Sequence, residues 1–376
     1  MKLVVIGVGA CGNKAAINIM DKGILPDNCI KLINTTAKDI PTEYRNQENM
    51  FYKFSSLDGC GKESSKGKSE MIKSISTRDI ILGDMLNTDT QEVVLVTAVE
   101  GGTGCGATPV IAQYFIGMGI PVHVYAFIGF QDETRGINNT LRFFKELPSE
   151  VILHTIKNEE FLDYTENFSK AELAANDEFA KQIEILTGRK YISSSQNIDD
   201  TDMYKVSTVS GYMNIQHISL NGCKNTELFN KAVQESFDNL KCLDFDKSAK
   251  KVAVFINGDN KIKESIDDRF EIIKRYTGEP AELFRHVQHT DADYYIDIII
   301  SGMNLPREEI VKLNMKYMDM KSKSTNKIDT LDDLFNDMDL EDEETEMNSV
   351  LDKENADILF MKKYGTQYNK VIVDDK

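Results

Sequence analysis

The segment from Val93 to Pro109 reads VVLVTAVEGGTGCGATP, an apolar run followed by a glycine-rich loop. The β-branched residues of the run favour a buried strand, and the residues after the loop favour a helix. Glycine permits positive φ and lets the backbone approach a ligand closely. A strand, a glycine loop and a helix in this order predict an anion site at the helix N-terminus.

A second segment of the same design opens the chain. The loop Gly7–Asn13, GVGACGN, follows a predicted strand, Lys2–Ile6, and precedes a predicted helix, Ala15–Met20. Its GxGxxG pattern is also the dinucleotide fingerprint, which expects an acidic residue at the end of the second strand. That strand, Cys29–Ile33, is followed by Asn34-Thr35-Thr36. Two phosphate loops therefore favour a di- or triphosphate, and a nicotinamide-dependent oxidoreductase stays a distant alternative. A third loop, DGCGK at 58–62, is a candidate lid.

The chain alternates predicted strands and helices. Val93–Val96 and Val122–Ile128 are apolar strands, each followed by a loop and a helical stretch, which predicts a parallel sheet covered on both faces. Ser169–Thr187 has apolar residues spaced for one helical face and connects two halves. In the second half, strands Lys251–Asn257 and Tyr294–Ser301 flank a helix at Ile262–Tyr276, which predicts a smaller α/β domain. A last helix begins at Pro306 and runs to about Lys321.

Composition limits the function classes. The 376 residues are 41% hydrophobic, carry a net charge of −17 and include no apolar run of the roughly 20 residues that span a bilayer. We therefore expect a cytoplasmic protein without a membrane span and without direct nucleic-acid binding, because phosphate contacts need clustered Lys and Arg. The six cysteines form no CxxC pair, which predicts free thiols.

The C-terminal part is acidic. The stretch Asp329–Glu346 holds ten acidic residues and no basic ones. A disordered solubilising tail is one interpretation. Nearby apolar residues at helical spacing support the other, a peptide that becomes helical against a neighbour; they are Ile328, Leu331, Leu334, Phe335 and Met338.

Several motifs together resemble the tubulin/FtsZ family. EGGTGCGATP at 100–109 is similar to the family signature GGGTG[ST]G, and GACGNK at 9–14 looks like the first nucleotide loop of tubulin. NTTA at 34–37 is similar to the second loop of FtsZ. Further matches follow in the family's order: Asn158, Ala175-Asn176-Asp177, and NIDDTD at 197–202. The resemblance covers about residues 1–303.

The resemblance implies an α/β fold: a Rossmann-like GTPase domain with a parallel sheet, a long central helix and a smaller C-terminal α/β domain. The expected organisation is a GTP-binding domain at 1–168, a central helix segment at 169–195 and a catalytic loop at 196–204. A C-terminal domain at 205–305 and a C-terminal helix with an acidic, flexible tail at 306–376 complete it.

The resemblance also implies a GTP/GDP site. Asp177 is expected to accept from guanine N1–H and N2, a donor pair that adenine lacks, with Asn158 and Asn176 beside it. FQDETR at 130–135 departs most from the family's pattern, and Glu133 and Arg135 are its candidates for a ribose contact. The remaining candidate contacts are Gly9, Ala10, Cys11, Gly12, Asn13, Asn34, Gly101, Gly102, Thr103, Gly104, Cys105 and Gly106.

Asp199 and Asp202 are the expected catalytic residues. Three residues apart at a predicted helix start, they suit a helix cap, and the resemblance implies that they also position the attacking water. In the family this loop completes the site of the next subunit, which implies head-to-tail filaments and hydrolysis activated by polymerisation. Mg²⁺ is expected to bind mainly through phosphates and water.

The loop sequences differ from classical FtsZ and look more like the divergent plasmid and phage members of the TubZ and PhuZ type. This implies segregation or positioning of DNA, with an FtsZ-like role in cell division as the alternative. The expected partners are further copies of the chain and, in addition, either a DNA-binding adaptor or a protein that binds the tail.

Overall fold

The structure is a computed structural model that describes residues 2–47, 49–162, 167–191, 198–221, 223, 226–258, 266–288 and 293–325. The strands are β1 Leu3–Val8, β2 Ile30–Asn34, β3 Phe51–Lys53, β4 Glu92–Ala98, β5 Val122–Ile128, β6 Ile152–Lys157, β7 Gly211–Ser219, β8 Lys251–Asn257, β9 Glu282–Gln288 and β10 Tyr295–Met303. The helices of the described ranges are α1 Gly9–Asp21, α2 Thr42–Arg45, α3 Ser64–Thr77, α4 Thr103–Gly117, α5 Thr134–Glu146, α6 Phe168–Thr187, α7 Asp200–Ser207, α8 Thr226–Asp238, α9 Ile266–Thr277 and α10 Arg307–Thr325.

One sheet carries all ten strands, in the order β3-β2-β1-β4-β5-β6-β7-β10-β8-β9. From β3 to β7 every neighbouring pair is parallel, although β6 and β7 meet only at Ile152–Gly211 and Leu153–Tyr212. β10 then runs antiparallel to both β7 and β8, and β9 is parallel to β8. The predicted parallel sheet of the first half is confirmed, and the α/β class with it. The domain boundaries proposed from sequence remain a prediction.

Two apolar layers cover the faces of the sheet. Alternation along β1 sends Val4, Ile6 and Val8 to one layer and Leu3 and Val5 to the other, as the period of two requires. Side chains of α3, α4, α5, α8 and α9 fill the first layer, and those of α1, α6 and α7 fill the second. Both faces are therefore buried, which explains why the central strands read as continuous apolar runs.

The central helix α6 has defined ends. At its start the Asn167 side chain accepts a hydrogen bond from the Lys170 backbone N–H at 2.8 Å, and at its end Gly188 adopts φ 68°. The helix matches the predicted span Ser169–Thr187 within one residue. Residues 188–191, part of the central helix segment expected at 169–195, are not helical, because the left-handed glycine ends the helix. Residues 192–195 lie outside the described residues.

The sequence patterns missed β3, which is only three residues long, and three longer strands, β6, β7 and β9. Polar side chains interrupt each apolar run: His154 in β6, Asn214 in β7 and His286 in β9 are all buried. Each has a polar partner that the sequence does not reveal, respectively His123, the Cys242 thiol and Gln288. The predicted strand Lys251–Asn257 and the predicted strand Val122–Ile128 coincide with β8 and β5.

All six cysteines are free thiols, as the sequence predicted. Over the described ranges, no helix is both long and apolar enough to cross a bilayer.

We expect Phe179→Ala to lower the free energy of unfolding by about 3–5 kcal/mol. The fully buried Phe179 ring packs edge-on against Tyr125 at 4.8 Å and Phe127 at 5.9 Å between ring centroids, so its removal leaves a cavity between α6 and β5. Urea unfolding measures the change. Leu173→Ala on the same helix is the control, because Leu173 is 64% exposed. Equal effects of the two substitutions would contradict the assigned packing.

Candidate functional site

The two predicted glycine loops meet at one edge of the sheet. α1 begins at Gly9 directly after β1, α4 begins at Thr103 shortly after β4, and β1 and β4 are adjacent parallel strands. A Cβ on Gly9, which has φ 77°, would lie 3.1 Å from the Gly104 backbone nitrogen. The sequence analysis predicted both loops but not that they touch, because their contact depends on the order of strands in the sheet.

Glycines also bring these helices close to the strands. A Cβ on Gly12 would overlap the carbonyl oxygen of Val96, and one on Gly104 would lie 2.8 Å from the carbonyl oxygen of Val8. The start of α1 therefore packs against β4 as well as β1, and the start of α4 packs against β1 as well as β4. The need for glycine at these positions is steric, which agrees with the close backbone approach predicted from the motif.

The starts of α1 and α4 offer unpaired backbone donors. Neither N-cap residue, Val8 nor Gly102, makes a side-chain capping bond, and neither first turn contains an acidic residue. The first N–H groups of a helix have no partner within it, and the helix dipole adds positive potential there. Ala10 is exposed, and a Cβ on Gly101 would meet nothing within 4 Å, so this edge is open. The arrangement is chemically suited to a phosphate chain.

Polar side chains of the second loop region support this edge. The Asn13 side-chain N–H group donates to the Ile33 carbonyl oxygen at 3.2 Å, and the Thr35 and Thr103 hydroxyls are 3.0 Å apart. Asn34 is buried and accepts from its neighbour Thr35 at 2.9 Å. These bonds shape the loop after β2, and the predicted nucleotide contact of Asn34 stays a prediction.

The thiols in the two loops are neutral. Burial raises the pKa of the Cys11 thiol to about 12, and the nearby Glu172 carboxylate acts in the same direction. Burial likewise raises the pKa of Cys105 to about 12. Neither side chain therefore adds a negative charge that would repel a phosphate at the helix starts.

The candidate lid lies on the second glycine loop. A Cβ on Gly102 would lie 2.7 Å from the Glu63 nitrogen and 2.9 Å from the Cys60 Cβ, so the two loops are in contact. The Asn139 side chain from α5 joins them, because it donates to the carbonyl oxygens of Lys62 and Glu100, both at 2.9 Å. The sequence analysis did not identify Asn139, which no local motif marks.

Glu100 stands where the family signature has its first glycine. Its carboxylate accepts from the Gln131 backbone N–H at 3.2 Å and from the Gln131 side chain at 2.6 Å. Burial raises the pKa of Glu100, and Asp132 and Glu133 contribute in the same direction. A Cβ on Gly129 would overlap the carboxylate in its present position, so a larger residue there would displace the Glu100 side chain. The departure from the signature was the signal that could have identified this residue.

Glu133 and Arg135 lie beside the lid. Glu133 forms an ion pair with Lys62, and Arg135 is exposed on the first turn of α5. A ribose contact by either residue stays a prediction. The ion pair does tie the loop before α5 to the lid.

A second group of polar residues lies where α6 faces α1. The Asp177 Oδ1 atom accepts from the Asn18 side chain at 3.0 Å and is 3.1 Å from the Lys22 Nζ atom. Neither contact uses Oδ2. Asn176 is buried beside it, and a 3₁₀ helix starting at Asn158 packs against α6. Asn158 is 7% exposed, and its Oδ1 atom has no hydrogen-bond partner within the described ranges.

Asp199 and Asp202 form the start of α7. The Asp199 Oδ1 atom accepts from the Asp202 backbone N–H at 2.8 Å, so the predicted capping role is confirmed. Asp199 is exposed, and Asp202 is half-buried with its Oδ1 atom 3.5 Å from the Lys205 Nζ atom. Asn197, the first residue of the matching motif, lies outside the described residues. A catalytic role for the two carboxylates stays a prediction.

The helix that begins with these two acids is held at the end of β4 opposite to the second glycine loop. Ser207, at the end of α7, contacts Glu92, which is the first residue of β4. The second glycine loop follows the last residue of β4, Ala98. Six residue steps of an extended strand span roughly 20 Å. α7 and the helix starts therefore lie near opposite ends of the sheet.

We expect Asn139→Ala to loosen the lid and to lower the free energy of unfolding by about 0.5–1.5 kcal/mol, since the carbonyl groups of Lys62 and Glu100 lose a donor. Hydrogen exchange of residues 58–63 should become faster. The half-buried neighbour on α5, Asn138, supplies the control variant Asn138→Ala. Unchanged exchange of the lid in Asn139→Ala would show that the bonds do not hold it.

Comparison with known proteins agrees with this architecture. Residues 2–166 match the Tubulin/FtsZ family, GTPase domain. The cell division protein FtsZ of Aquifex aeolicus is 26% identical over 208 residues, which is 54% of this chain and only about half, 55%, of that protein. A GTPγS-form protofilament structure of Bacillus thuringiensis serovar israelensis TubZ aligns with TM-score 0.71 and 17% identity, covering 87% of this chain and 94% of TubZ. CetZ from Methanosaeta thermophila aligns with TM-score 0.68 and 17% identity, covering 93% and 99%.

The family match covers both glycine loops, and the structural matches extend the likeness of fold to most of the chain. The family match favours a GTP site over the nicotinamide-dependent alternative. Residues 2–166 thus match the GTPase domain of the tubulin/FtsZ family, and the chain as a whole has the tubulin/FtsZ fold.

Proposed function

We propose that this protein binds GTP at the paired glycine loops and hydrolyses it where one copy meets the next in a head-to-tail filament. The observation that carries the proposal is the pair of uncapped helix starts, α1 and α4, in contact at one sheet edge. Their free N–H groups suit the β- and γ-phosphates. The lid over Gly102 would then close on the terminal phosphate.

Mg²⁺ would accompany the triphosphate. The described residues hold no group of three or more His, Cys, Asp or Glu side chains arranged to bind a metal ion. We infer that phosphate oxygens and water supply most of its ligands, as is common for this ion.

Guanine selectivity is assigned to Asp177, with Asn158 as the second base contact. Asp177 Oδ2 is not used by Asn18 or Lys22, and Asn158 Oδ1 is a buried acceptor without a partner in the described part of the chain. A buried unpaired acceptor is costly unless a ligand satisfies it. Both atoms therefore support recognition of a base that presents adjacent donors.

Hydrolysis is assigned to Asp199 and Asp202 acting on the nucleotide of a neighbouring copy. Their helix, α7, is held at the end of β4 opposite to the second glycine loop, which argues against action within one copy. Phosphoryl transfer depends mainly on positioning and electrostatics, so two carboxylates that orient a water are sufficient. A contact between opposite ends of identical molecules does not close and generates a filament. The protofilament form of the TubZ structure is consistent with this assembly.

For the cellular role we propose segregation or positioning of plasmid or phage DNA. The divergent loop sequences and the acidic C-terminal part support this choice, and the TubZ likeness is compatible with it. A role in cell division is the second candidate, favoured by the similarity to FtsZ of Aquifex aeolicus. The negative charge of the chain implies that any link to DNA runs through a basic adaptor protein.

We expect Asp177→Ala to weaken GTP binding about 10- to 100-fold, because hydrogen bonds to a charged acceptor contribute about 1.5–3 kcal/mol. Competition between GTP and ATP for a fluorescent nucleotide measures it, and selectivity for GTP should fall in parallel. Glu178→Gln, which replaces the next carboxylate on α6, is the control. Undiminished preference for GTP in Asp177→Ala would refute the assignment.

We expect Asp199→Asn to assemble in the presence of GTP but to release phosphate at least about tenfold more slowly. Asparagine keeps the helix cap and removes the charge, so folding should be unaffected. Pelleting and phosphate release are measured together, with Asp200→Asn as the control.

In the unmodified protein, turnover per subunit should rise steeply above a critical protein concentration. Constant turnover per subunit at all protein concentrations would disprove hydrolysis between copies.

A further inference from the structure

A chain of buried polar groups crosses the amino ends of the central strands. Glu92 at the start of β4, His123 on β5 and His154 on β6 are each at most 1% exposed. The Glu92 Oε2 atom is 2.7 Å from the His123 Nε2 atom, and the His123 Nδ1 atom is 3.0 Å from the His154 Nε2 atom. At the other end the Ser207 hydroxyl donates to Glu92 Oε1 at 3.1 Å. The proposed function uses none of these four side chains.

This chain of contacts fixes the orientation of the Glu92 carboxylate. Burial, reinforced by the neighbouring His123, holds the pKa of His154 well below its usual range, so His154 is neutral. Its ring stacks on Tyr125 with centroids 4.0 Å apart and an interplanar angle of 8°. His123 is thus held between a stacked ring and the carboxylate. Both carboxylate oxygens have partners, as a buried carboxylate requires.

The outer end of the network belongs to the helix that begins with the two proposed catalytic acids. Ser207 is the last residue of α7, and Asp199 caps its first turn. The other buried side chains of α7, Met203 and Val206, make apolar contacts, which resist separation but do little against rotation or sliding. The bond from Ser207 to Glu92 is directional, and it joins α7 to the GTPase-domain sheet over 115 residues of sequence.

We propose that Glu92, held by His123 and His154, is a positioning residue that fixes α7 through Ser207 and so aims Asp199 and Asp202 at the nucleotide of the neighbouring copy. This inference rests on the proposed function, since it assumes hydrolysis between copies. The hydrogen bond, rather than the charge of Glu92, sets the position of the helix. A displacement of about 1 Å at a catalytic group lowers a rate by up to roughly 100-fold, so the loss of such a contact is measurable.

The test uses the full chain and compares phosphate release per assembled subunit with nucleotide affinity. Ser207→Ala removes the hydroxyl that donates to Glu92 and that also lies 3.2 Å from the Tyr204 carbonyl oxygen of its own helix. It should lower turnover roughly tenfold, while GTP affinity and GTP-dependent pelleting stay within about twofold. Glu92→Leu removes the acceptor and should give the same loss, and the double variant should lose no more than either single one, because all three break one contact.

Glu92→Gln is the conservative variant. Its carbonyl oxygen still accepts from Ser207, and its amide donates to His123, whose other ring nitrogen then donates to His154. Turnover should therefore stay within about twofold of the unmodified protein. A loss as large as that of Ser207→Ala would overturn the hydrogen-bond mechanism.

Ser74→Ala is the matched control. Ser74 is a buried serine on α3 whose hydroxyl has no hydrogen-bond partner in the described part of the chain. The apolar side chains of α3 belong to the first layer and those of α7 to the second, on the other face of the sheet. Normal turnover in Ser207→Ala, or an equal loss in Ser74→Ala, would overturn the inference.

The catalytic role of Asp199 and the positioning role of Glu92 can be tested separately. If Asp199→Asn keeps full turnover, the proposed catalytic role is wrong. If Asp199→Asn loses turnover and Ser207→Ala does not, the acids act as proposed and only the positioning role of Glu92 is wrong. If Glu92→Leu does not fold, the comparison of Ser207→Ala with Glu92→Gln decides the question.

Discussion

The structure depends on the contact between two helix starts. β1 and β4 are parallel neighbours, so the loops that follow them reach the same sheet edge, and glycine lets them touch. A Cβ at Gly9 or Gly104 would push them apart. The contact places two sets of free N–H groups and two positive dipole ends in one small region. An anion with several negative charges is the natural counterpart, because it removes the mutual repulsion of the two helix ends.

Under the proposed function, the sheet also sets the distance between the nucleotide site and the proposed catalytic acids. β4 carries the second glycine loop at one end and the anchor of α7, Glu92, at the other. A rigid strand cannot bring these two ends together. In the proposed mechanism, the glycine loops of one copy therefore act with the α7 acids of a second copy. In the proposed filament, each copy would contact the next through opposite ends of the parallel strands, so the strand direction would set the filament direction. Assembly and hydrolysis are then coupled without any large change in the fold.

Buried charges hold the second half of the molecule to the first. Asp297 on β10 is fully buried, and its carboxylate is 2.6 Å from Lys190 Nζ, 2.7 Å from His217 Nδ1 and 2.9 Å from the Tyr191 hydroxyl. Lys190 and Tyr191 follow the end of α6. Removing one partner would leave a buried charge uncompensated, which is far more costly than the net gain from the pair. The end of the central helix is thus tied to the mixed part of the sheet.

The sequence by itself determined the two glycine loops, the parallel sheet, the span of the central helix and the cap at Asp199. Those features follow from periodicity, glycine and capping, which act between near neighbours in the chain. Tertiary structure alone decided that Asn139 joins the lid to Glu100, that Asn18 meets Asp177 and that Glu92 holds α7. These contacts join residues 39, 159 and 115 positions apart. Strand β6 was missed because the buried His154 interrupts its apolar run, and the partner of His154, His123, lies 31 positions away on another strand. Such pairs leave no local pattern, because only the folded sheet brings the partners together.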